Sequence, residues 1–235
     1  MDIRPVYEQS YVPYSRQPEV AVVQSAEGRT YIGKRVENIS YPLSINAAQN
    51  ALFCCLSEGD SPENLLVTDH GDRLLSFWEE EYGIQTGQLE LENLSAVEPA
   101  QILIAGNYEP VDLLSSLLDR ALVEQSNFPV AALLETNEGY ICGVNIECSS
   151  WNMGLCAERV ALAKALTYHQ GELGDLHVLS RDGDFSSPCG ACRQVISEHL
   201  SHRQVHLHHA DRSQSIHFID DLLPFSFHSP SLSNS

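Results

Sequence analysis

The chain has 235 residues, 43% of them hydrophobic and 19% charged, a composition typical of a globular protein with one large domain or two smaller ones. Its 13 Lys and Arg residues and 32 Asp and Glu residues give a formal net charge of −19, which repels polyphosphate. Since the basic residues cluster no further than the pair Lys34-Arg35, the composition argues against binding to a nucleic-acid polymer.

The N-terminal residues and the cysteines indicate a location. Residues 1–10 include Asp2 and Glu8 and lack the apolar core of a signal peptide, and no apolar run approaches the roughly 20 residues of a membrane span. We therefore expect a cytoplasmic protein with no membrane partner, in which thiols stay reduced. Seven cysteines, an odd number, then favour metal binding or packing over a disulfide framework.

An internal duplication organises the chain. Residues 15–59 and 126–171 correspond first at an offset of 111 and, after a one-residue gap, at an offset of 110. The shared residues are Ser15, Pro18, Gly28, Gly33, Glu37, Ser40, Ala47, Ala51 and Leu52 in the first copy, and Ser126, Pro129, Gly139, Gly143, Glu147, Ser150, Ala157, Ala161 and Leu162 in the second. We predict two domains, residues 1–105 and 106–228, followed by a disordered Ser-rich tail over residues 229–235.

The same predicted elements recur in both copies. The predicted strands span 20–23 and 130–134, and the predicted helices span 46–57, 111–123 and 156–168. Gly28 and Gly139 mark turns into a second strand of each copy. The acidic segment 79–92 is expected to be a solvated, variable part of the first domain. Alternating strands and helices predict an α/β fold in which helices cover a mixed sheet.

A three-cysteine motif carries the chemistry of the second copy. Cys156-Ala157-Glu158 is followed, 33 residues after Cys156, by Pro188-Cys189-Gly190-Ala191-Cys192. Three thiolates suit a zinc site that keeps a fourth position for water, whereas structural zinc normally takes four protein ligands. Glu158, two residues beyond the first ligand, suits a general acid and base that does not bind the metal. Zinc-dependent deaminases have this pattern of ligands and a nearby Glu.

The local sequence also favours thiolates. Pro188 is a favoured helix-start residue, so both motifs are predicted to begin helices, whose N-termini stabilise anions. Three thiolates carry more negative charge than Zn²⁺ neutralises. Arg159 is predicted to offset this charge by donating hydrogen bonds to the sulfurs, and Arg193 is a weaker candidate for the same role.

Residues 126–227 resemble the cytidine deaminase family, because SNFPVAA, GVNIE, LCAER, SPCGACRQ and LLPFSF follow its motifs in order. The resemblance implies a duplicated three-layer α/β/α sandwich and one Zn²⁺ per chain, held by Cys156, Cys189 and Cys192. It also implies hydrolytic deamination of cytidine and deoxycytidine to uridine and deoxyuridine plus ammonia, within pyrimidine salvage. In that family zinc activates the water that attacks C4 of the base, and a Glu, here Glu158, moves a proton to N3 and then to the departing amine.

The resemblance also implies contacts to a nucleoside substrate. They are Phe128, which packs against the base, Asn145 and Glu147, which hold the ribose hydroxyls, the backbone N–H of Ala157, which meets the base carbonyl, and Phe227, which reaches a neighbouring subunit's site. From the residues alone, Asn145 and Glu147 could instead be a hydrogen-bonded pair at a strand end, and Phe128 and Phe227 could be core aromatics.

The first copy resembles the same family but lacks its chemistry. Asn46, Ala48 and Gln49 stand where the first Cys, the Glu and the Arg belong, and no P-C-x-x-C follows. The copy keeps Tyr41 where the second copy has Trp151, so Tyr41 is a candidate to complete an active site formed mainly by the second copy. Short family members form tetramers, and a fused pair is therefore expected to form a homodimer that resembles the tetramer.

Several alternatives remain at this point. The thiols could hold a structural zinc with His169 or His199 as a fourth ligand. The remaining cysteines are expected in the core; they are Cys54, Cys55, Cys142 and Cys148. The five histidines within 199–209 are expected on a strand face rather than at a metal, and Trp151 could pack or contact substrate.

Three other functions compete with cytidine deamination. The substrate could be a modified cytosine nucleoside or an aminopyrimidine antibiotic. A polynucleotide deaminase is disfavoured by the acidic charge. A non-catalytic regulatory pseudoenzyme fits the degenerate first copy but not the intact second one.

Overall fold

The computed structural model describes residues 8–69, 71–90, 92, 97–106, 108–183 and 185–226. The predicted tail over 229–235 lies outside these residues. The strands are β1 (Val20–Ser25), β2 (Thr30–Lys34), β3 (Pro62–Val67), β4 (Gln85–Gln88), β5 (Leu103–Ala105), β6 (Val130–Thr136), β7 (Gly139–Val144), β8 (Leu173–Ser180), β9 (Gln204–His208) and β10 (Gln214–Phe218). The helices are α1 (Ala47–Ser57), α2 (Leu75–Tyr82), α3 (Pro110–Leu117), α4 (Ala157–Tyr168), α5 (Gly190–His199) and α6 (Ile219–Leu222). Within the described residues, no helix is long and apolar enough to cross a membrane.

Two mixed sheets confirm the predicted α/β fold. The first sheet has the strand order β2-β1-β3-β4, and the second has the order β10-β9-β8-β6-β7-β5. In the first, β1 is antiparallel to β2 and β3, and β4 is parallel to β3 after the crossover helix α2. In the second, β6 is antiparallel to β7 and β8, and β9 is parallel to β8 after α5. We refer to residues 8–102 as the first half and to residues 103–226 as the second half.

Helices cover both faces of the second sheet. Leu114 and Leu117 of α3 pack with Leu133 on one face. Val160 of α4 and Ile196 of α5 belong to the core on the other face, which gives the three-layer sandwich. In the first half, α1 and α2 lie on one face of the sheet, where the rings of Phe53 and Trp78 are 5.9 Å apart.

The duplication extends to close packing inside each half. Gly33 on β2 faces α1, and Gly143 on β7 faces α4. A Cβ at Gly33 would overlap the backbone N of Ala51, and a Cβ at Gly143 would overlap that of Ala161. Glycine at these two positions therefore lets each helix lie directly against its strand.

The two halves share one hydrophobic core. Helices α1 and α4 contact each other, and Leu52 and Leu162 belong to the same buried cluster. Lys164 of α4 is fully buried and its Nζ pairs with Glu58 of the first half. Cys54 and Tyr168 also meet across the interface, where the Cys54 Sγ and the Tyr168 hydroxyl are 3.8 Å apart. Position 54 corresponds to 164 and position 168 to 58, so this contact is the symmetric counterpart of the one between Lys164 and Glu58.

Two hydrogen bonds across the interface are reciprocal. Gln49 Nε2 of the first half donates to the carbonyl of Met153 in the second, at 2.7 Å. Arg159 Nη2 of the second half donates to the carbonyl of Leu43 in the first, at 2.9 Å. Positions 49 and 159 are equivalent in the duplication, as are 43 and 153. The halves are thus related by pseudo-twofold symmetry.

A second reciprocal pair supports this symmetry. Glu81, near the end of the crossover helix α2, accepts a hydrogen bond from the backbone N–H of Ser149 at 2.8 Å. Glu198, near the end of the crossover helix α5, accepts one from the backbone N–H of Ile39 at 2.9 Å. Each half therefore contacts the other through a carboxylate at the C-terminal end of its crossover helix.

The domain boundary at residue 105 stays a prediction. It falls at the end of β5, which pairs with β7 of the second sheet. The change of sheet lies between Ala100, which still donates to Thr30 of the first half at 2.7 Å, and Leu103. The acidic segment 79–92 is not merely solvated, since it contains the end of α2, the strand β4 and the buried Ile84 and Leu89.

Candidate zinc and substrate site

The three predicted thiols meet at the starts of two helices. Cys156 precedes the first residue of α4 and Cys189 precedes that of α5, both with extended backbone. The sulfur of Cys189 lies 3.7 Å from that of Cys156 and 3.6 Å from that of Cys192. All three ligand atoms lie within 4.8 Å of one another.

These distances fit zinc. Tetrahedral thiolates with Zn–S bonds of about 2.3 Å are separated by about 3.8 Å. The ionised form is also favoured at Cys189, whose pKa is lowered by its hydrogen-bond contacts with the thiols of Cys156 and Cys192 and by the backbone N–H groups of Cys192 and Ala191. The residues present therefore match a three-thiolate zinc site.

A fourth histidine ligand is ruled out by position. His169 and His199 follow or complete the last turns of α4 and α5, whose first turns carry the thiols. His169 lies 13 residues beyond Cys156 and His199 lies seven beyond Cys192, which is about 20 and 10 Å along the helices. Neither ring belongs to the group of ligand atoms that lie within 4.8 Å of one another. The ring of His199 instead packs 4.5 Å from that of Tyr11. The alternative of a structural site with either histidine is therefore wrong.

The other cysteines follow their prediction, and the histidines within 199–209 do so only in part. Cys54, Cys55, Cys142 and Cys148 are buried free thiols. His206 and His208 lie on β9, whereas His199 ends α5, His202 lies in the turn after it and His209 follows β9. Within the described residues, the three-thiol group is the only cluster that could hold a metal.

Glu158 lies in the first turn of α4 beside the thiols. Its side chain is buried, with 4% of the residue exposed, and this burial raises its pKa to about 7. A carboxyl group with a pKa near neutrality can both accept and donate a proton under physiological conditions. Three thiolates beside such a group define the active site of a zinc-dependent hydrolytic enzyme.

A cavity of about 530 Å³ opens beside this group. Six of the predicted residues line it: Phe128, Asn145, Glu147, Cys156, Glu158 and Cys189. The cavity is large enough for a nucleoside. Within the described residues, no Lys, Arg or His lines it, so its charge is neutral to negative.

Asn145 ties the strand end to the cavity wall. Its Oδ1 accepts from the backbone N–H of Val130 at 2.8 Å, and its Nδ2 donates to the carbonyl of Phe128 at 2.9 Å. The strand-end role is thus present together with a place in the cavity lining. Asn145 holds the backbone that carries Phe128.

Glu147 acts in the same manner. Its Oε2 accepts from the backbone N–H groups of Gln125 and Ser126, at 2.9 and 3.2 Å. The equivalent Glu37 of the first half accepts from residues 14 and 15 with the same geometry, at 3.0 Å each. Both halves therefore keep these hydrogen bonds to the backbone. The two glutamates differ in that Glu147 also lines the cavity that contains thiols, and Glu37 does not.

Four further predictions have different outcomes. Ala157 is the first residue of α4 and is fully buried. Tyr41 is 84% exposed and does not line the cavity of its own chain. Phe227 lies outside the described residues. Arg159 donates to Leu43 as described above, and its Nε is buried without a hydrogen-bond partner in the described structure; that it donates to the sulfurs stays a prediction.

The cavity has one wall that the sequence did not identify. Phe185 and Ser186, from the loop between β8 and α5, line it together with Trp151. The ring of Phe185 stacks on His209 at 4.7 Å, and the backbone N–H of Ser186 donates to His209 Nδ1 at 3.1 Å. Their position just before the Cys189 and Cys192 pair is the sequence signal that could have placed them at the site. Trp151, 63% exposed, lies at the cavity rather than in the core.

Known proteins resemble both halves. Residues 110–208 match a family model described as the cytidine and deoxycytidylate deaminase zinc-binding region, and residues 6–68 match a second model with the same description. The cytidine deaminase of Mycoplasma genitalium is 37% identical over 117 residues, 48% of this chain and 89% of that protein. That of Sporosarcina psychrophila is 44% identical over 81 residues, 34% of this chain and 60% of that protein. Among solved structures, the cytidine deaminase of Burkholderia pseudomallei is 33% identical with a TM-score of 0.48, and the match covers 50% of this chain and 95% of that one.

The Mycoplasma relative settles the family. It is 37% identical and is matched over 89% of its length. The chain therefore belongs to the cytidine deaminase family, and Zn²⁺ is its cofactor.

Proposed function

We propose that the chain deaminates cytidine and deoxycytidine hydrolytically, producing uridine or deoxyuridine and ammonia. The observation that carries the proposal is that one cavity is lined by buried Glu158, by Cys156 and Cys189, and by Phe128, Asn145 and Glu147. Retention of every catalytic residue in the second half argues against a regulatory pseudoenzyme.

The chain's own residues can bind and protonate such a substrate. Zinc, held by the three thiolates at one site per chain, supplies the Lewis acidity that activates water for attack at C4 of the base. Glu158 takes a proton from the attacking water and delivers it to N3, and it then moves the proton of the new C4 hydroxyl to the amine, which leaves as ammonia while the C4 carbonyl forms. Its near-neutral pKa is suited to both transfers. Phe128 packs against the base, and the Ala157 N–H meets the base carbonyl.

The ribose is held at the other end of the cavity. Asn145 and Glu147 follow β7, one on each side of the bridge residue Ile146, and hold the ribose hydroxyls. Since the described cavity lining includes carboxylates but no cation, a 5′-phosphate would meet no opposite charge. This favours free nucleosides over nucleotides and over polynucleotides, in agreement with the net charge of −19.

An ultraviolet assay with parallel metal analysis tests the proposal. Zinc-loaded protein should convert cytidine and deoxycytidine, and deoxycytidylate much more slowly, and should contain one zinc per chain. Glu158→Gln is the matched control, because it keeps the volume and the metal ligands. If the zinc-loaded protein leaves both nucleosides unchanged, the proposal fails.

A modified cytosine nucleoside or an aminopyrimidine antibiotic is the second candidate substrate. The aromatic rings of Phe128, Trp151 and Phe185 on the cavity wall would stack on any flat pyrimidine. Higher kcat/KM for such a compound than for cytidine, measured across a panel, would favour this reading.

We also propose a cytoplasmic homodimer that acts in pyrimidine salvage. The free cysteines suit a reducing compartment. The exposed aromatics Tyr41 and Trp151, on equivalent turns of the two halves, offer an apolar surface to a second copy, in which Tyr41 and Phe227 would complete a neighbouring site. Sedimentation of the intact chain should give a dimer, and a monomer with full activity would contradict the shared site.

A further inference from the structure

Glu198, on the last turn of α5, is bound by the first half through four donors. Its Oε1 accepts from the hydroxyls of Tyr11 and Tyr14, at 3.0 and 2.7 Å. Its Oε2 accepts from Asn38 Nδ2 and from the backbone N–H of Ile39, at 2.6 and 2.9 Å. We call these four donors the Glu198 cage.

The cage offsets an unfavourable position for a carboxylate. Negative charge near a helix C-terminus opposes the helix dipole, whereas hydrogen bonds to a charged acceptor are about twice as strong as neutral ones. Burial and the carboxylate of Glu198 raise the pKa of Tyr11 and Tyr14, so both hydroxyls keep the protons that they donate. The ring of His199 packs on Tyr11, so the last turn of α5 lies against the first half.

The same helix carries two of the zinc thiols at its other end. Cys189 precedes α5 and Cys192 is in its first turn, six residues and therefore about 9 Å before Glu198. Val195 and Ile196 bury the middle of the helix in the core. Because a helix moves as a rigid unit, the direction in which its last turn is held also sets where the sulfurs lie.

We infer that the first half positions Cys189 and Cys192 through Glu198, which makes Glu198 a positioning residue for the zinc site. The inference rests on the proposed zinc chemistry and assigns the first half a role in it. Because the Glu198 cage holds the last turn of α5, the sulfurs of Cys189 and Cys192 at the start of the helix keep their positions without the metal. This preorganisation slows zinc release.

The chain contains a matched control. Glu81 occupies the pseudo-equivalent place at the end of α2 and accepts from Ser149 across the same interface. However, α2 begins at Leu75 and carries no thiol in its first turn. Loss of Glu81 therefore weakens the contact between the halves without releasing a helix that holds zinc ligands.

Zinc release separates positioning from simple attachment. Glu198→Ala, Glu198→Gln and the double variant Tyr11→Phe/Tyr14→Phe are compared with Glu81→Ala and Glu81→Gln as full-length, zinc-loaded proteins. Release to an excess of a metallochromic chelator should be faster by about tenfold in Glu198→Ala, the size of effect seen when groups behind metal ligands are removed. Glu198→Gln and the tyrosine variant should show smaller increases, and the Glu81 variants none.

Hydrogen exchange gives a second readout that needs no metal and no turnover. In metal-free protein, amides of α5 should exchange faster in the Glu198 variants, with no change in α5 for the Glu81 variants. Equal zinc release in the wild type and the Glu198 variants, or equal acceleration by the Glu81 variants, would overturn the inference. If Glu198→Ala does not fold, the same comparison of zinc release and hydrogen exchange is made with Glu198→Gln and Tyr11→Phe/Tyr14→Phe, which change the side-chain volume little. A failure to deaminate cytidine would leave both readouts intact, so the two proposals fail separately.

Discussion

At the start of α1 and at the start of α4, the backbone is the same and the side chain differs. Asn46 and Cys156 both have extended backbone before the first helical residue. The Asn46 side chain accepts a hydrogen bond from the N–H of Gln49 at 2.7 Å and so caps its helix, while Cys156 makes no such bond. Its sulfur faces the other thiols instead. One backbone position thus serves either helix capping or metal binding.

The cavities beside these two residues differ in the same way. Around Asn46 lies a cavity of about 420 Å³ lined by charged side chains, among them Glu19, Arg35, Asp69 and Asp72. Arg35 pairs with Glu19, where the second half has Asn145 and Val130. The comparison shows that a duplicated fold keeps its packing glycines and backbone hydrogen bonds while the chemistry of one cavity is replaced.

The largest expected effect tests where the chemistry resides. Glu158→Gln should lower kcat by about a thousandfold, since general acid–base catalysis contributes that order of rate. Zinc content should stay at one per chain, because Glu158 is not a ligand. Turnover assays with metal analysis check this. A variant that keeps a tenth of wild-type kcat would contradict the assignment of Glu158.

The next effect tests the interface between the halves. Lys164→Met should cost about 2 kcal/mol of unfolding free energy, because it removes the closer of the two cations beside the Glu58 carboxylate, which keeps only Arg120 at 3.8 Å. Urea unfolding measures the loss. Lys164→Met/Glu58→Gln should recover part of it, and a single variant as stable as the wild type would show that the pair is not structurally required.

A matched pair of glycine variants compares the two helix–strand contacts. Gly33→Ala and Gly143→Ala should each cost about 2 kcal/mol, since both would press a methyl group into helix backbone. Thermal unfolding should show similar losses. Only Gly143→Ala should also lower kcat/KM, because α4 carries Cys156 and Glu158. Equal loss of activity in both variants would mean that the halves are not chemically distinct.

The smallest effect concerns the cap that replaced a ligand. Asn46→Ala should cost about 1 kcal/mol, the usual contribution of an N-cap side chain, with turnover unchanged. Asn46→Ser keeps a capping oxygen without adding a charge beside Asp72, so it should retain most of the stability and serves as the control. If Asn46→Ala abolished turnover while the protein stayed folded, the first half would have a direct part in the chemistry.

Local patterns were sufficient to predict much of the site. The spacing of Cys156, Glu158, Cys189 and Cys192 is set by ligand geometry and by the starts of two helices, so it is visible along the chain. The strand β4 was missed because its four residues, Gln85–Gln88, are polar or small and form a strand only by pairing with β3. The wall formed by Phe185 was missed because His209, which holds it, comes from a distant strand end.

The sequence by itself determined the duplication, the α/β class, the three cysteines that cluster in the second half and their absence from the first half. These features depend on residue identity at short range. The tertiary structure alone decided how the halves meet: Lys164 with Glu58, Arg159 with Leu43, and Glu198 in its cage. The partners in these contacts lie more than a hundred residues apart, and each of these hydrogen bonds forms only because folding brings its donor and its acceptor to a shared, buried interface.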